Sequence, residues 1–177
     1  VTALNLTDPI FQIGVTPNRG DCLSVRGIAR DLSAKNVGKL KPINIKKTTS
    51  EEFESPITWS IQNDGNSCSF VVSRYFKDIQ NSASPEWLQK KLLSIGLRPI
   101  NALVDITNFI TMDLGRPLHV FDADKIGNKL NMRLSNDQEK LLALDNKEYS
   151  LNDITTVIAD NKNPLAIAGI IGGNDSG

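Results

Sequence analysis

The sequence predicts an α+β fold, with mixed or antiparallel sheets and a helical layer, preceded by a small strand-helix element. Three observations predict it. Strand-like segments rich in β-branched and aromatic residues lie at 57–76 and again from residue 130 onward. Two helix-patterned segments stand between them, each stopped by a glycine, Gly96 and Gly115. Strands, then helices, then strands is also the wrong order for a doubly wound parallel sheet, which needs strict alternation. With 40% apolar and 23% charged residues in 177, the chain has the makeup of a folded globular protein and not of a disordered one.

Ile10-Phe11-Gln12-Ile13-Gly14-Val15 is expected to be a strand that turns through Thr16-Pro17-Asn18-Arg19-Gly20. Asp21 stands where an N-cap belongs, and a helix is predicted from Cys22 to Ala34, its apolar positions Leu23, Val25, Ile28, Ala29 and Leu32 mostly on one face, with Gly38 beyond it as a stop. Lysines and a polar run at 41–55 suggest a linker. Ile57–Ile61 and Phe70–Phe76 read as strands joined by Asn63-Asp64-Gly65-Asn66 turn chemistry. Ser84-Pro85-Glu86 offers a cap, a proline at the first helical position and an acidic first turn, so a helix runs from there to Gly96. A second helix is predicted over Leu103–Leu114. Strands follow at Leu130–Leu134, Leu141–Leu144, Glu148–Leu151, Thr155–Ala159 and Leu165–Ile171. The start at Val1 and the glycine-rich end suggest a piece of a longer chain.

Several function classes are disfavoured. No apolar run approaches the ~20 residues of a membrane span, and no basic, then apolar leader opens the chain, so a cytoplasmic protein without membrane contact is expected. Cys22 and Cys68 are far apart and lack partners at metal-ligand spacing, which disfavours a disulfide framework or a zinc site. Twenty basic residues balance twenty acidic ones, which argues against a broad electrostatic footprint for nucleic acid. Any RNA bound would take most of its phosphate contacts elsewhere. One histidine, His119, builds no Ser/His/Asp triad. A lone histidine is more often structural, but its place at a Gly/Pro-punctuated helix exit favours a site. Thr107 and Asn108 are either an exposed polar pair or pocket donors beside His119. Gly169, Gly172 and Gly173 do not have Rossmann or phosphate-loop spacing and suit a tight turn.

Thr16-Pro17-Asn18-Arg19-Gly20-Asp21-Cys22-Leu23-Ser24-Val25-Arg26-Gly27-Ile28-Ala29-Arg30-Asp31-Leu32 closely resembles a signature of bacterial phenylalanyl-tRNA synthetase β subunits. Val104–Phe109 followed by Gly115–Asp122 looks like the same family's editing module, and Val157–Asp160 and Leu165–Gly173 are similar to its next segments. The resemblance implies that residues 1–40 are the end of a small N-terminal domain, 41–55 a linker, and 56–177 the truncated first portion of the editing domain. It implies contact with tRNA(Phe), an (αβ)₂ assembly with an α subunit, and aminoacylation with ATP and Mg²⁺ in that α subunit. No cofactor is expected in this chain.

By the same resemblance, His119 and Asn108 serve catalysis, while Thr107, Ala159, Asp160, Asn174 and Asp175 bind substrate. Some members have Gly at the position of Asp160. Many have Glu where this chain offers Asn174 and Asp175, a departure in the segment that reads the tyrosine hydroxyl. The implied activity is hydrolysis of Tyr-tRNA(Phe). Its logic is physical: an apolar pocket rejects an added hydroxyl by only about 10²-fold, whereas a site that hydrogen-bonds that hydroxyl discriminates by roughly 10⁴ to 10⁵. A non-catalytic scaffold that contacts tRNA, with editing lost, is the alternative.

Overall fold

The computed structural model describes residues 9–45, 53–62 and 68–176. They pack as two compact units, one from Val1–Thr49 with Gln80–Val120, the other from Ser50–Ile79 with Phe121–Gly177. The architecture is α+β, with the helices gathered in the first unit and the strands in the second. The predicted turn at 63–66 lies outside the described residues.

In the first unit a 3-10 turn, Gly20–Cys22, leads into α1, Val25–Ala34. The helix begins later than the sequence suggests because Ser24 is the N-cap: its hydroxyl accepts the Gly27 N–H at 2.9 Å, while Asp21 is drawn into ion pairs with arginines. It ends at Ala34, as the sequence suggests, but Gly38 is not its stop. Asn36 takes a left-handed conformation (φ 58°), and Val37 N–H bonds to Leu32 C=O at 3.0 Å, so an asparagine closes a Schellman turn. α2, Glu86–Ser94, is capped by Pro85 and not by the Ser84 side chain, and Gly96 (φ 82°) closes it in the same way, with Leu97 N–H on Leu92 C=O. Leu88 and Leu92 are its buried residues. α3, Ala102–Leu114, is capped by the Asn101 side chain on Val104 N–H (3.0 Å) and stopped by left-handed Gly115.

The second unit holds a five-stranded sheet in the order β1-β2-β5-β6-β7: β1 Thr58–Ile61, β2 Lys129–Leu134, β5 Thr156–Ala159, β6 Pro164–Ile167 and β7 Ile171–Gly172. Only β1–β2 is parallel. β3, Lys140–Leu142, and β4, Glu148–Ser150, form a separate hairpin that turns at left-handed Asn146. Two hydrophobic clusters lie against these strands, and a register shift between β5 and β6 at Ile158/Ala159 interrupts strict alternation there. Leu141, Leu151, Val157, Ala159 and Ile167 make one, and Ile126, Leu130 and Leu165 the other, with Ile57, Trp59 and Phe121 against it.

Two predicted strands do not form. Ile10–Val15 and Phe70–Phe76 find no ladder partner among the described residues, and Phe11 and Phe70 are 81% and 78% exposed. Strand propensity is largely fit to a half-buried pleated surface, so without a neighbouring strand it organises nothing.

Candidate functional site

α3 and its exit are held by three devices. Asp105 is wholly buried and ties the helix start to its neighbours: one carboxylate oxygen accepts the Ser84 hydroxyl, the other the Ile100 N–H at 2.9 Å. Gly115 then turns the chain in the left-handed region, where a side chain would also stand 2.9 Å from Ser24 Oγ. Beyond it, the Thr111 hydroxyl donates to Arg116 C=O (3.4 Å) and accepts Leu118 N–H (3.2 Å), which fixes the two residues on either side of Pro117. His119 follows directly. Its surface is exposed, yet desolvation pushes its pKa below the ordinary histidine value, so the imidazole is neutral at pH 7 and can accept a proton or a hydrogen bond. On α3 itself Thr107 and Asn108 are half-buried, and the Thr107 hydroxyl donates to Val104 C=O at 2.8 Å.

In the second unit, Asp160 closes the turn between β5 and β6. Its carboxylate accepts N–H groups from Lys162 and Asn163 (2.8 Å each) and from Gly127 (3.2 Å). Burial pushes this carboxyl up, but the three backbone donors and the nearby Lys162 charge outweigh it and hold the pKa below the usual aspartate value. Ala159 is fully buried in the core, so its methyl group faces protein. The segment after β7 is pinned from both sides. Gly173 N–H bonds to Leu165 C=O (2.7 Å), Asn174 N–H to Leu142 C=O (2.9 Å) and Asp122 N–H to Ser176 C=O (3.0 Å). Asn174 and Asp175 therefore present exposed side chains from a fixed backbone. A cleft of about 650 Å³ also opens in this unit, by Met132, Thr156, Ile167 and Ile170, and none of the candidate residues lines it.

Asp21, Cys22 and Asp31 of the first unit offer three ligand-type atoms within 4.8 Å of one another. Two guanidinium groups already hold the carboxylates. Arg19 pairs with Asp21 at 2.9 Å and with Asp31 at 2.6 Å, and Arg30 pairs with Asp21. The Arg19 hydrogen bonds hold both carboxyls below the usual range, and burial pushes the Cys22 thiol up. Cations packed on the carboxylates and a protonated thiol make a poor metal site. The group locks the 3-10 turn to α1.

Residues 67–177 match the family described as B3/4 domain. The chain belongs to that family. Nearly all of it is also similar to phenylalanine–tRNA ligase beta subunits: 49% identical to that of Brucella abortus (strain 2308) over 176 residues, 98% of this chain and 22% of the relative. To the Nitrobacter winogradskyi subunit it is 51% identical over 172 residues, 97% of this chain and 21% of the relative. The chain spans about a fifth of the length of these relatives.

Within the B3/4 match, Thr107 and Asn108 stand one after the other on α3, and His119 five residues past its end. Ala159 and Asp160 are given to core and turn, and Asn174 and Asp175 are displayed. Thr111 and Asp105 escaped the sequence reading. A threonine four residues before a helix-stopping glycine, and an acid at the fourth position of a helix capped by asparagine, were the available signals. Among the described residues no helix is long and apolar enough to cross a membrane.

Proposed function

We propose that this chain is part of a phenylalanine–tRNA ligase β subunit and that it serves post-transfer editing, the hydrolysis of Tyr-tRNA(Phe). The carrying observation is the identity of about one residue in two with such subunits along 98% of the chain, through both candidate segments. Tyrosine leaves the tRNA when water adds to the ester carbonyl and the terminal ribose oxygen departs with a proton. That step requires a positioned water and donors for the developing oxyanion, not a protein nucleophile. His119, neutral at pH 7, holds the water and accepts its proton; Asn108 and Thr107 contribute hydrogen bonds from α3. Asn174 and Asp175 are the side chains free to meet the tyrosine hydroxyl. Ala159 and Asp160 then act by shaping the β5–β6 turn. ATP and Mg²⁺ belong to the preceding aminoacylation, in the α subunit of an (αβ)₂ enzyme, in the cytoplasm.

The test is deacylation of Tyr-tRNA(Phe) by the longer enzyme carrying these residues. His119→Ala is expected to slow it by roughly 10² to 10⁴, and Asp175→Ala to lower the preference for tyrosyl over phenylalanyl ester. The acid limb of the native rate profile should fall below the ordinary histidine pKa, following the lowered value at His119. If neither substitution slows hydrolysis, the assignment of this site is wrong. Native tRNA binding without hydrolysis would leave the scaffold reading.

A further inference from the structure

The balanced charge of the whole chain conceals a division between its two units. Among the described residues the first unit holds ten Lys and Arg against five Asp and Glu, a formal +5, and the second eight against eleven, a formal −3. The excess is concentrated further. From Arg19 to Lys41 six bases face two acids, Asp21 and Asp31, and Arg19 and Arg30 occupy both of these. That leaves Arg26, Lys35, Lys39 and Lys41, none of which has an ion-pair partner among the described residues. Lys35, Lys39 and Lys41 are exposed.

The fold brings these cations together. The Schellman turn at Asn36 reverses the chain, and two hydrogen bonds lay the return segment along α1: Leu40 N–H on Ser33 Oγ (3.2 Å) and Arg26 Nη1 on Lys41 C=O (3.1 Å). Lys39 and Lys41 therefore lie beside the helix that carries Arg26 and Arg30, and Lys35 stands at the turn. Positive charge also suits this end of the helix, where the α1 carbonyls point. We infer that this stripe, α1 with its return segment 35–41, is an RNA-backbone contact surface of the chain. Lysines on flexible stems act on phosphates as point charges, so the contact reads charge and not sequence. The inference rests on the tRNA-ligase reading for the choice of RNA as the polyanion, and it assigns to this chain phosphate contacts that its neutral total argued against.

The test is binding of tRNA(Phe), and of a mixed-sequence RNA of equal length, to the 177-residue protein over a range of KCl concentrations. Lys35→Gln/Lys39→Gln/Lys41→Gln is compared with the native protein and with Lys129→Gln/Lys147→Gln on the second unit; circular dichroism verifies that each is folded. Three lost phosphate contacts lower the slope of log K against log salt by roughly 2 to 3 and weaken binding on the order of tenfold, equally for both RNAs. The control pair leaves affinity and slope unchanged. Absence of RNA binding by the native protein at low salt, a triple variant that binds as the native one does, or a loss of affinity for polyglutamate without loss for RNA would each overturn the inference. Deacylation that fails while lysine-dependent binding persists removes the editing reading alone. Lysine-independent tRNA binding with deacylation intact removes only the stripe.

Discussion

Gly115→Ala tests how the helix exit before His119 is held. Gly115 has φ 72°, a region that costs an L-residue about 1–2 kcal/mol. Its added Cβ would also lie 2.9 Å from Ser24 Oγ and 3.0 Å from Ser24 Cβ, closer than side chains approach. Ser24 is the N-cap of α1, and displacing its hydroxyl from the Gly27 N–H sacrifices a cap worth about 0.5–2 kcal/mol. The two effects together destabilise the first unit by about 1.5–4 kcal/mol. Gly96→Ala supplies the comparison, because Gly96 has φ 82° and no atom within 4 Å of its would-be Cβ. It suffers only the backbone term, about 1–2 kcal/mol. Urea unfolding followed by Trp87 fluorescence reads this unit alone in a Trp59→Phe background, since Trp87 packs edge-on against Phe109 of α3 at 5.8 Å. Equal losses for the two alanine variants would refute the role given to Ser24.

Asp105→Ala leaves the buried Ser84 hydroxyl without its acceptor, while the Ile100 N–H belongs to an exposed residue and can turn to water, so the expected loss is about 1–3 kcal/mol by the same measurement. A loss under about 1 kcal/mol would show that water replaces the carboxylate. In the second unit, Arg133 grips Glu139 with two hydrogen bonds of 2.7 and 2.8 Å, both side chains mostly covered. This pairing, aided by Asn136 N–H, holds the Glu139 pKa below its ordinary value. A carboxyl with a depressed folded pKa stabilises above its unfolded pKa, and that contribution disappears as pH falls through the folded value. Native protein should therefore be more stable than Glu139→Gln at pH 7, and the gap should close in the acid range. Urea midpoints followed through Trp59 decide it; a gap independent of pH sinks the argument.

What the sequence disclosed divides along the range of the forces involved. α2 and α3 were legible because their limits are set by neighbours in the chain: Pro85 and Glu86 at one start, and Gly96 and Gly115 at the stops, both with positive φ as required. The start of α1 was misplaced from Asp21 to Ser24 by a long-range effect. Arg30, nine residues on, and Arg19 draw the Asp21 carboxylate away from capping. Ser84 was similarly diverted, since its hydroxyl serves Asp105, twenty-one residues later. Strand patterning at 10–15 and 70–76 failed for a related reason, because a strand exists only with its partner and local composition names none. The candidate site follows the same division. His119 was marked by a local Gly/Pro signal, but the chain before it is held by Thr111, and the burial of the Ala159 methyl depends on Leu141 and Ile167 of other strands, as the Asp160 carboxylate depends in part on Gly127, thirty-three residues earlier. Charge supplies the sharpest case. Twenty acids against twenty bases is a sum over the chain, and a phosphate senses only the cations within about a Debye length. Once the Schellman turn folds 35–41 back on α1, the relevant quantity is six bases to two acids over 19–41, and the argument from neutrality no longer applies to that surface.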